Sequence, residues 1–136
     1  MRPILVDTNA YTAFMRGDQE IVEVIAHTDQ LYLSSTVLGE LLAGFAAGTR
    51  EVRNRAELAR FLESPRVGIL NVTAETADSY ALVYASLRRK GQPIPTNDLW
   101  IAASALEHGT ALLSLDAHFA QVDGLRLGRQ IGDFLP

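Results

Sequence analysis

Four carboxylates occupy places in this chain where folding alone gives an acid little to do. Asp7 ends the apolar run Ile4-Leu5-Val6, Glu40 lies inside an apolar helical stretch, Asp98 opens a helical segment, and Asp116 follows the apolar run that ends at Ser114. Each comes from a different part of the chain, so only the fold can gather them, and gathered like charges need a cation to relieve their repulsion. Glu40 is the only charged residue between Asp29 and Arg50, with Val37, Leu38, Leu41, Leu42 and Phe45 around it. It is not a capping-box glutamate, because the residue three before it is Val37, which cannot cap. A carboxylate in such surroundings must be paired, protonated or metal-associated. The other three have structural uses as well: an Asp-Thr-Asn turn can cap a helix, an acid in a first turn complements the helix dipole, and Asp116 suits a turn after a strand.

An all-oxygen set of this kind selects a hard cation, Mg²⁺ or Mn²⁺, which contacts one or two carboxylates directly and keeps most of its waters. Such an ion acidifies a coordinated water and neutralises the charge that grows on a phosphodiester during in-line displacement. The remaining carboxylates hold coordinated waters or orient the attacking one. Hydrolysis of a phosphodiester is the chemistry the set serves. The absence of cysteine excludes a disulfide, a thiolate zinc site and a cysteine nucleophile, and three scattered histidines argue against a soft-metal centre.

The elements that must position these acids alternate along the chain. Ile4 to Val6 reads as a strand, Ala10 to Met15 and Gln19 to Ala26 as helices, and Leu31 to Leu33 as a second strand running into the hydroxyls Ser34-Ser35-Thr36, which suit a helix N-cap. A nearly all-apolar helix over about 37–47 precedes an amphipathic, arginine-rich one over about 51–62, whose inner face is Leu58, Phe61 and Leu62. Val67 to Val72 reads as a third strand, Thr73 as an N-cap, and Ala74 to Lys90 as a long helix closed by Gly91. Pro93 and Pro95 enforce a loop. A helix then runs from Asn97 or Asp98 to about His108, with Leu99, Ile101, Ala102, Ala105 and Leu106 inward, followed by strands at Ala111 to Ser114 and near Leu125 to Leu127. Short apolar strands without period-two alternation, separated by helices, indicate an α/β fold with a short, mainly parallel sheet covered on both faces. In such sheets ligands bind beyond the carboxyl ends of the strands, where Asp7 and Asp116 sit.

At 136 residues, 48% hydrophobic and with a formal charge of -4, the chain fits a single domain over residues 1–136. With no signal-peptide pattern and no apolar stretch of membrane-spanning length, we expect a soluble, cytoplasmic protein with no membrane partner. The net charge argues mildly against bulk capture of nucleic acid, yet Arg50, Arg53, Arg55, Arg60 and Arg66 fall in one segment and Arg88, Arg89 and Lys90 in another. Both runs read either as solvated helix faces or as phosphate-gripping rims around an acidic centre. The helices containing Ala43 to Ala47 and Tyr80 to Tyr84 carry apolar residues that serve either as core or as a groove for a partner.

Val6-Asp7-Thr8-Asn9, Leu38-Gly39-Glu40-Leu41, Asn97-Asp98-Leu99-Trp100-Ile101-Ala102-Ala103 and Ser114-Leu115-Asp116-Ala117-His118-Phe119 resemble, in order and spacing across essentially the whole chain, the four acidic motifs of PIN-domain ribonucleases. The DTN, NDLWIAA and LDAHF stretches are similar to the VapC toxin branch of type II toxin–antitoxin pairs. The resemblance implies a three-layer α/β/α fold, Mg²⁺-dependent (or Mn²⁺-dependent) endoribonuclease activity on a structured RNA such as a tRNA or ribosomal RNA loop, a homodimer, and a cognate VapB-like antitoxin whose tail covers the active site. It implies that Asp7 and Asp98 are direct metal ligands, that Glu40 and Asp116 complete the site from a second shell or at a second metal, and that Thr8, Asn9 and Ser114 order the carboxylates. Leu115 and Ala117 depart from the pattern, since relatives often carry polar or basic residues there. The same fold also suits an RNA-processing nuclease with no antitoxin, or a catalytically silent RNA-binding module, against which the presence of all four acids argues. A phosphatase of the haloacid dehalogenase type also places an Asp after its first strand, but it needs a second Asp two residues on, where this chain has Asn9.

Overall fold

The computed structural model describes residues 2–136. Its central sheet holds β1 (Ile4–Val6), β2 (Leu31–Ser34), β3 (Val67–Leu70), β4 (Ala111–Leu113) and β5 (Leu127–Gly128) in the spatial order β3-β2-β1-β4-β5. Every pairing is parallel, with Ile4 opposite Leu31 on one side and Ala111 on the other, so the sheet expected to be mainly parallel is wholly so. The helices α1 (Thr8–Met15), α2 (Gln19–His27), α3 (Ser35–Ala47), α4 (Glu51–Glu63), α5 (Ala74–Lys90) and α6 (Thr96–His108) form, in pairs, the crossovers from β1 through β4, and a 3₁₀ turn over Ala117–Gln121 lies between β4 and β5. The helices cover both faces in a three-layer α/β/α arrangement.

Burial explains the strands. All of β1 and β4 is fully sequestered, which is why these short segments read as continuous apolar runs. Ile4, Leu5, Val6, Leu31, Leu33, Leu112 and Leu113 form the centre of the core, each worth about 1.5–3 kcal/mol on leaving water. Helix ends follow the sequence signals: Ser34 and Thr73 cap α3 and α5, while Gly91 and Gly109 take the left-handed conformation (φ 66° each) that closes α5 and α6. No helix among the described residues is long and apolar enough to cross a membrane.

Boundaries differ from the sequence reading at several element ends, most by one or two residues, and three of the differences have a direct physical cause. α1 begins at Thr8 rather than Ala10, because the Asp7 side chain caps it directly. β3 stops at Leu70, where its partner β2 ends at Ser34, and the Val72 N–H turns instead to the Ser35 hydroxyl at 3.2 Å. The last strand lies at Leu127–Gly128, because the Leu125 N–H bonds back to the Val122 carbonyl and only from the Arg126 carbonyl onward does the chain pair with β4.

The order of strands fixes where a ligand can sit. From β1 the chain winds one way to β2 and β3, then returns to add β4 and β5 on the other side, so the direction reverses between β1 and β4. Helical crossovers leave that junction uncovered at the carboxyl ends of the two strands. Asp7 follows β1 and Asp116 lies three residues after β4.

Candidate active site

Asp7 sits at the floor of this crevice, 4% exposed. As the cap of α1 it accepts the Thr8 N–H at 2.8 Å through Oδ1, while Oδ2 accepts the Ser114 hydroxyl at 2.7 Å from the end of β4. Ser114 Oγ in turn accepts the Asp116 N–H at 3.0 Å, so one hydroxyl joins the two strand ends. Asn9 Oδ1 accepts the Leu115 N–H at 3.0 Å and pins the same turn. Asp116 caps a 3₁₀ turn (Ala117–Gln121) by accepting the His118 N–H at 2.9 Å.

The remaining acids enter from helices. Glu40, in the middle of α3, accepts the Thr8 hydroxyl at 2.6 Å on Oε1 and the Asn97 amide at 3.3 Å on Oε2. Its side chain therefore belongs to the crevice, which accounts for a charge on an otherwise apolar helix. Asp98, in the first turn of α6, approaches His118 Nδ1 at 3.6 Å, and the same nitrogen lies 3.1 Å from Asp116 Oδ1. One donor atom from each of Asp98, Asp116 and His118 fits within 4.8 Å of the others, close enough to ligate one ion.

Electrostatics bind the four acids into one unit. Burial raises the Asp7 carboxyl from 3.8 to about 6; hydrogen bonds from Ser114 and Thr8 pull it down, and the charges of Asp98 and Glu40 push it up. Burial also raises Asp98, followed by the charge of Asp116, with His118 opposing. Among the described residues no lysine or arginine pairs with any of the four; His118 alone does. A crevice with several oxygens of like charge, oriented by hydroxyl and amide donors and with no lysine or arginine partner among the described residues, fits a hard divalent cation.

The structure thus gathers Asp7, Glu40, Asp98 and Asp116 and places Thr8, Asn9 and Ser114 as their supports. The closest group of donors is Asp98, Asp116 and His118, with Asp7 lower in the crevice, whereas the motif resemblance pairs Asp7 with Asp98 as the direct ligands. Two contributors were not singled out from sequence: Asn97, next to Asp98, and His118, two residues beyond Asp116. An amide or imidazole beside a candidate carboxylate is the signal that marks them. The arginine runs are less uniform than their sequence suggests. Arg66 spends its guanidinium on the carbonyls of Ile25 (3.0 Å) and Thr28, and Lys90 is tied to Asp123 at 2.9 Å and to the Gln121 carbonyl, so neither forms a free rim.

The family model for the PIN domain matches residues 4–125. Ribonuclease VapC1 of Rickettsia felis is 32% identical over 127 residues, covering 91% of this chain and 93% of that protein. The chain belongs to the VapC ribonucleases of the PIN-domain family. A second VapC relative, Ribonuclease VapC4 of Mycobacterium tuberculosis, is 31% identical over 88 residues, 65% of this chain and 68% of its own length. The backbone matches that of the DNA-bound VapBC complex of Salmonella typhimurium with a TM-score of 0.82 at 26% identity, over 94% of this chain and 98% of that one. PIN-domain membership makes the enzyme an endoribonuclease, a hydrolase that uses a divalent metal.

Proposed function

We propose that this chain is the toxin of a type II toxin–antitoxin pair, a Mg²⁺-dependent (or Mn²⁺-dependent) endoribonuclease that acts in the cytoplasm on an unpaired loop of a structured RNA, a tRNA or ribosomal RNA, and so inhibits translation. The observation that carries the reading is the convergence of Asp7, Glu40, Asp98 and Asp116 on one crevice, with two carboxyls raised and no basic side chain but His118 to balance them. The nuclease domain spans residues 1–136.

Asp7, Asp98 and Asp116 would hold the cation, with Asp7 the deepest of the three and His118 at the rim. When bound, the ion supplies Lewis-acid charge to the phosphodiester and lowers the proton affinity of coordinated water. Ser114 donates its hydroxyl hydrogen bond to Asp7 and favours the ionised carboxylate needed for ligation. Thr8 and Asn97 grip Glu40 from the protein side, leaving its other lone pairs to accept a proton from the water that attacks phosphorus. Hydrolysis forms one bond from water oxygen to phosphorus and breaks the phosphorus–oxygen bond to the neighbouring nucleotide, whose leaving oxygen takes up a proton from solvent.

The similarity to a VapBC complex supports a VapB-like antitoxin as the partner, and exposed apolar residues on α3 (Ala43, Ala46, Ala47) and α5 (Leu82, 73% exposed) offer surface for it or for a second copy in a homodimer. A test is to incubate antitoxin-free protein with total RNA in Mg²⁺, Mn²⁺ or EDTA and to map new 5′ ends by sequencing. Discrete cuts in one RNA species, abolished by EDTA and by Asp98→Ala in a protein verified by circular dichroism, are expected. Parental cleavage by Asp98→Ala would overturn the assignment.

A further inference from the structure

We infer that an aromatic ladder on α5 and α6, with the apolar pocket beside it, binds an unpaired base of the RNA next to the bond that is cut; this rests on the nuclease reading above. The rings of Trp100 and Tyr80 lie 4.2 Å apart between centroids, tilted by 31°, and Tyr80 and Tyr84 follow at 6.4 Å and nearly parallel, at 11°. Tyr84 is 45% exposed, and its hydroxyl accepts a hydrogen bond from Arg88 Nη1 at 3.1 Å. Beyond it opens a pocket of about 230 Å³ lined by Tyr84, Leu87, Arg88, Pro93, Ile94 and Leu99.

Position ties this pocket to the acids. Ile94 stands four residues before Asp98, a separation of at most about 14 Å along the chain. Between them begins α6, whose cap position is Pro95 and whose first-turn amides receive no side-chain hydrogen bond. Such amides attract phosphate. The acid crevice, the start of α6 and the pocket therefore form one path: ligands for a cation, donors for a phosphate, and an apolar wall for a base.

Charge selects nucleic acid as the occupant. Arg88 and Arg89 are exposed at the end of α5, and Arg88 is itself part of the pocket wall. An aromatic face stacks on any base, and a guanidinium adds stacking or a phosphate contact, so ring and arginine together match a nucleotide. A base inside a duplex is already stacked and cannot enter, so the pocket selects unpaired RNA.

The test compares wild type, Tyr84→Ala and Tyr84→Phe on a loop-containing RNA that wild type cleaves with Mn²⁺. Tyr84→Ala is expected to raise KM about tenfold, within the range of about 5- to 150-fold that loss of one stacked base gives, with kcat within about twofold. Tyr84→Phe keeps the ring and restores KM. Trp100 is the only tryptophan and so reports the ladder directly: an unpaired oligonucleotide quenches its emission in Asp98→Asn, and the same sequence as a duplex does not. Unchanged KM in folded Tyr84→Ala, or equal quenching by duplex, overturns the pocket. So does conversion of a dimer to a monomer by Tyr84→Ala in sedimentation, which would mark the ladder as a contact between copies. Absence of any metal-dependent cleavage by wild type overturns the nuclease reading and the pocket with it, whereas cleavage with unchanged KM overturns the pocket alone.

Discussion

Asp7 carries the largest electrostatic strain among the acids, because it is the deepest and has only neutral donors around it. A carboxyl raised from 3.8 to about 6 on folding binds its proton more tightly in the native state. It contributes stability that is fully present below about pH 3.8 and lost as pH rises through about 6, a difference on the order of 3 kcal/mol. Asp98 is raised as well and acts in the same direction. In EDTA, thermal melts should therefore show wild type losing stability between about pH 4 and 6, while Asp7→Asn loses less and exceeds wild type at pH 7 by about 2 kcal/mol, the amide forfeiting about 1 kcal/mol of hydrogen bonding. Saturating Mn²⁺ should reverse that order, since the ion needs the ionised carboxylate. Ser114→Ala removes the hydroxyl that joins Asp7 to the Asp116 backbone, and calorimetry should find Mn²⁺ affinity lowered about 10- to 100-fold. At this scale the sequence was informative because an acid among aliphatic residues, such as Glu40, has few structural explanations. Asn97 and His118 were less visible, because an amide near a helix start and a histidine in a turn are ordinary surface choices.

Elements were legible where a local rule governs them and obscure where a distant partner does. The caps at Ser34 and Thr73 and the glycine stops at Gly91 and Gly109 are local, and they fell where the residue types placed them. β5 is set instead by tertiary packing. A side chain at Gly128 would meet Asp133 Cβ and Phe134 Cζ at 2.6 Å each, so the strand can form only where the C-terminal segment lies flat against a bare backbone. Leu125 and Leu127 are the more strand-like residues and drew the reading two positions too early. Gly128→Ala should consequently destabilise the protein by about 1–3 kcal/mol in urea unfolding. Because the Gly128 carbonyl accepts the Ser114 N–H at 3.1 Å, the same change should also lower Mn²⁺ affinity. A Gly128→Ala protein as stable as wild type would show that the C-terminal segment moves aside without cost.

For the whole molecule, alternation of strand and helix announced a parallel α/β fold, and the fold then did what no motif can do alone. It reversed direction between β1 and β4 and brought four acids from distant parts of the chain to one edge. Which of them lie nearest one another is a property of that assembly, and it places Asp98, Asp116 and His118 together above Asp7. The proposed function makes this edge a divalent-cation site on which RNA cleavage depends. Its most direct test is Mn²⁺ calorimetry at pH 7 on wild type, Asp98→Asn and the surface control Glu23→Gln, with RNA cleavage measured on the same samples. Wild type and the control should bind Mn²⁺ saturably and cut RNA, while Asp98→Asn binds at least about tenfold more weakly and does not cut. Equal Mn²⁺ affinity and equal cleavage in all three proteins would show that the acidic edge is not the metal site of the nuclease.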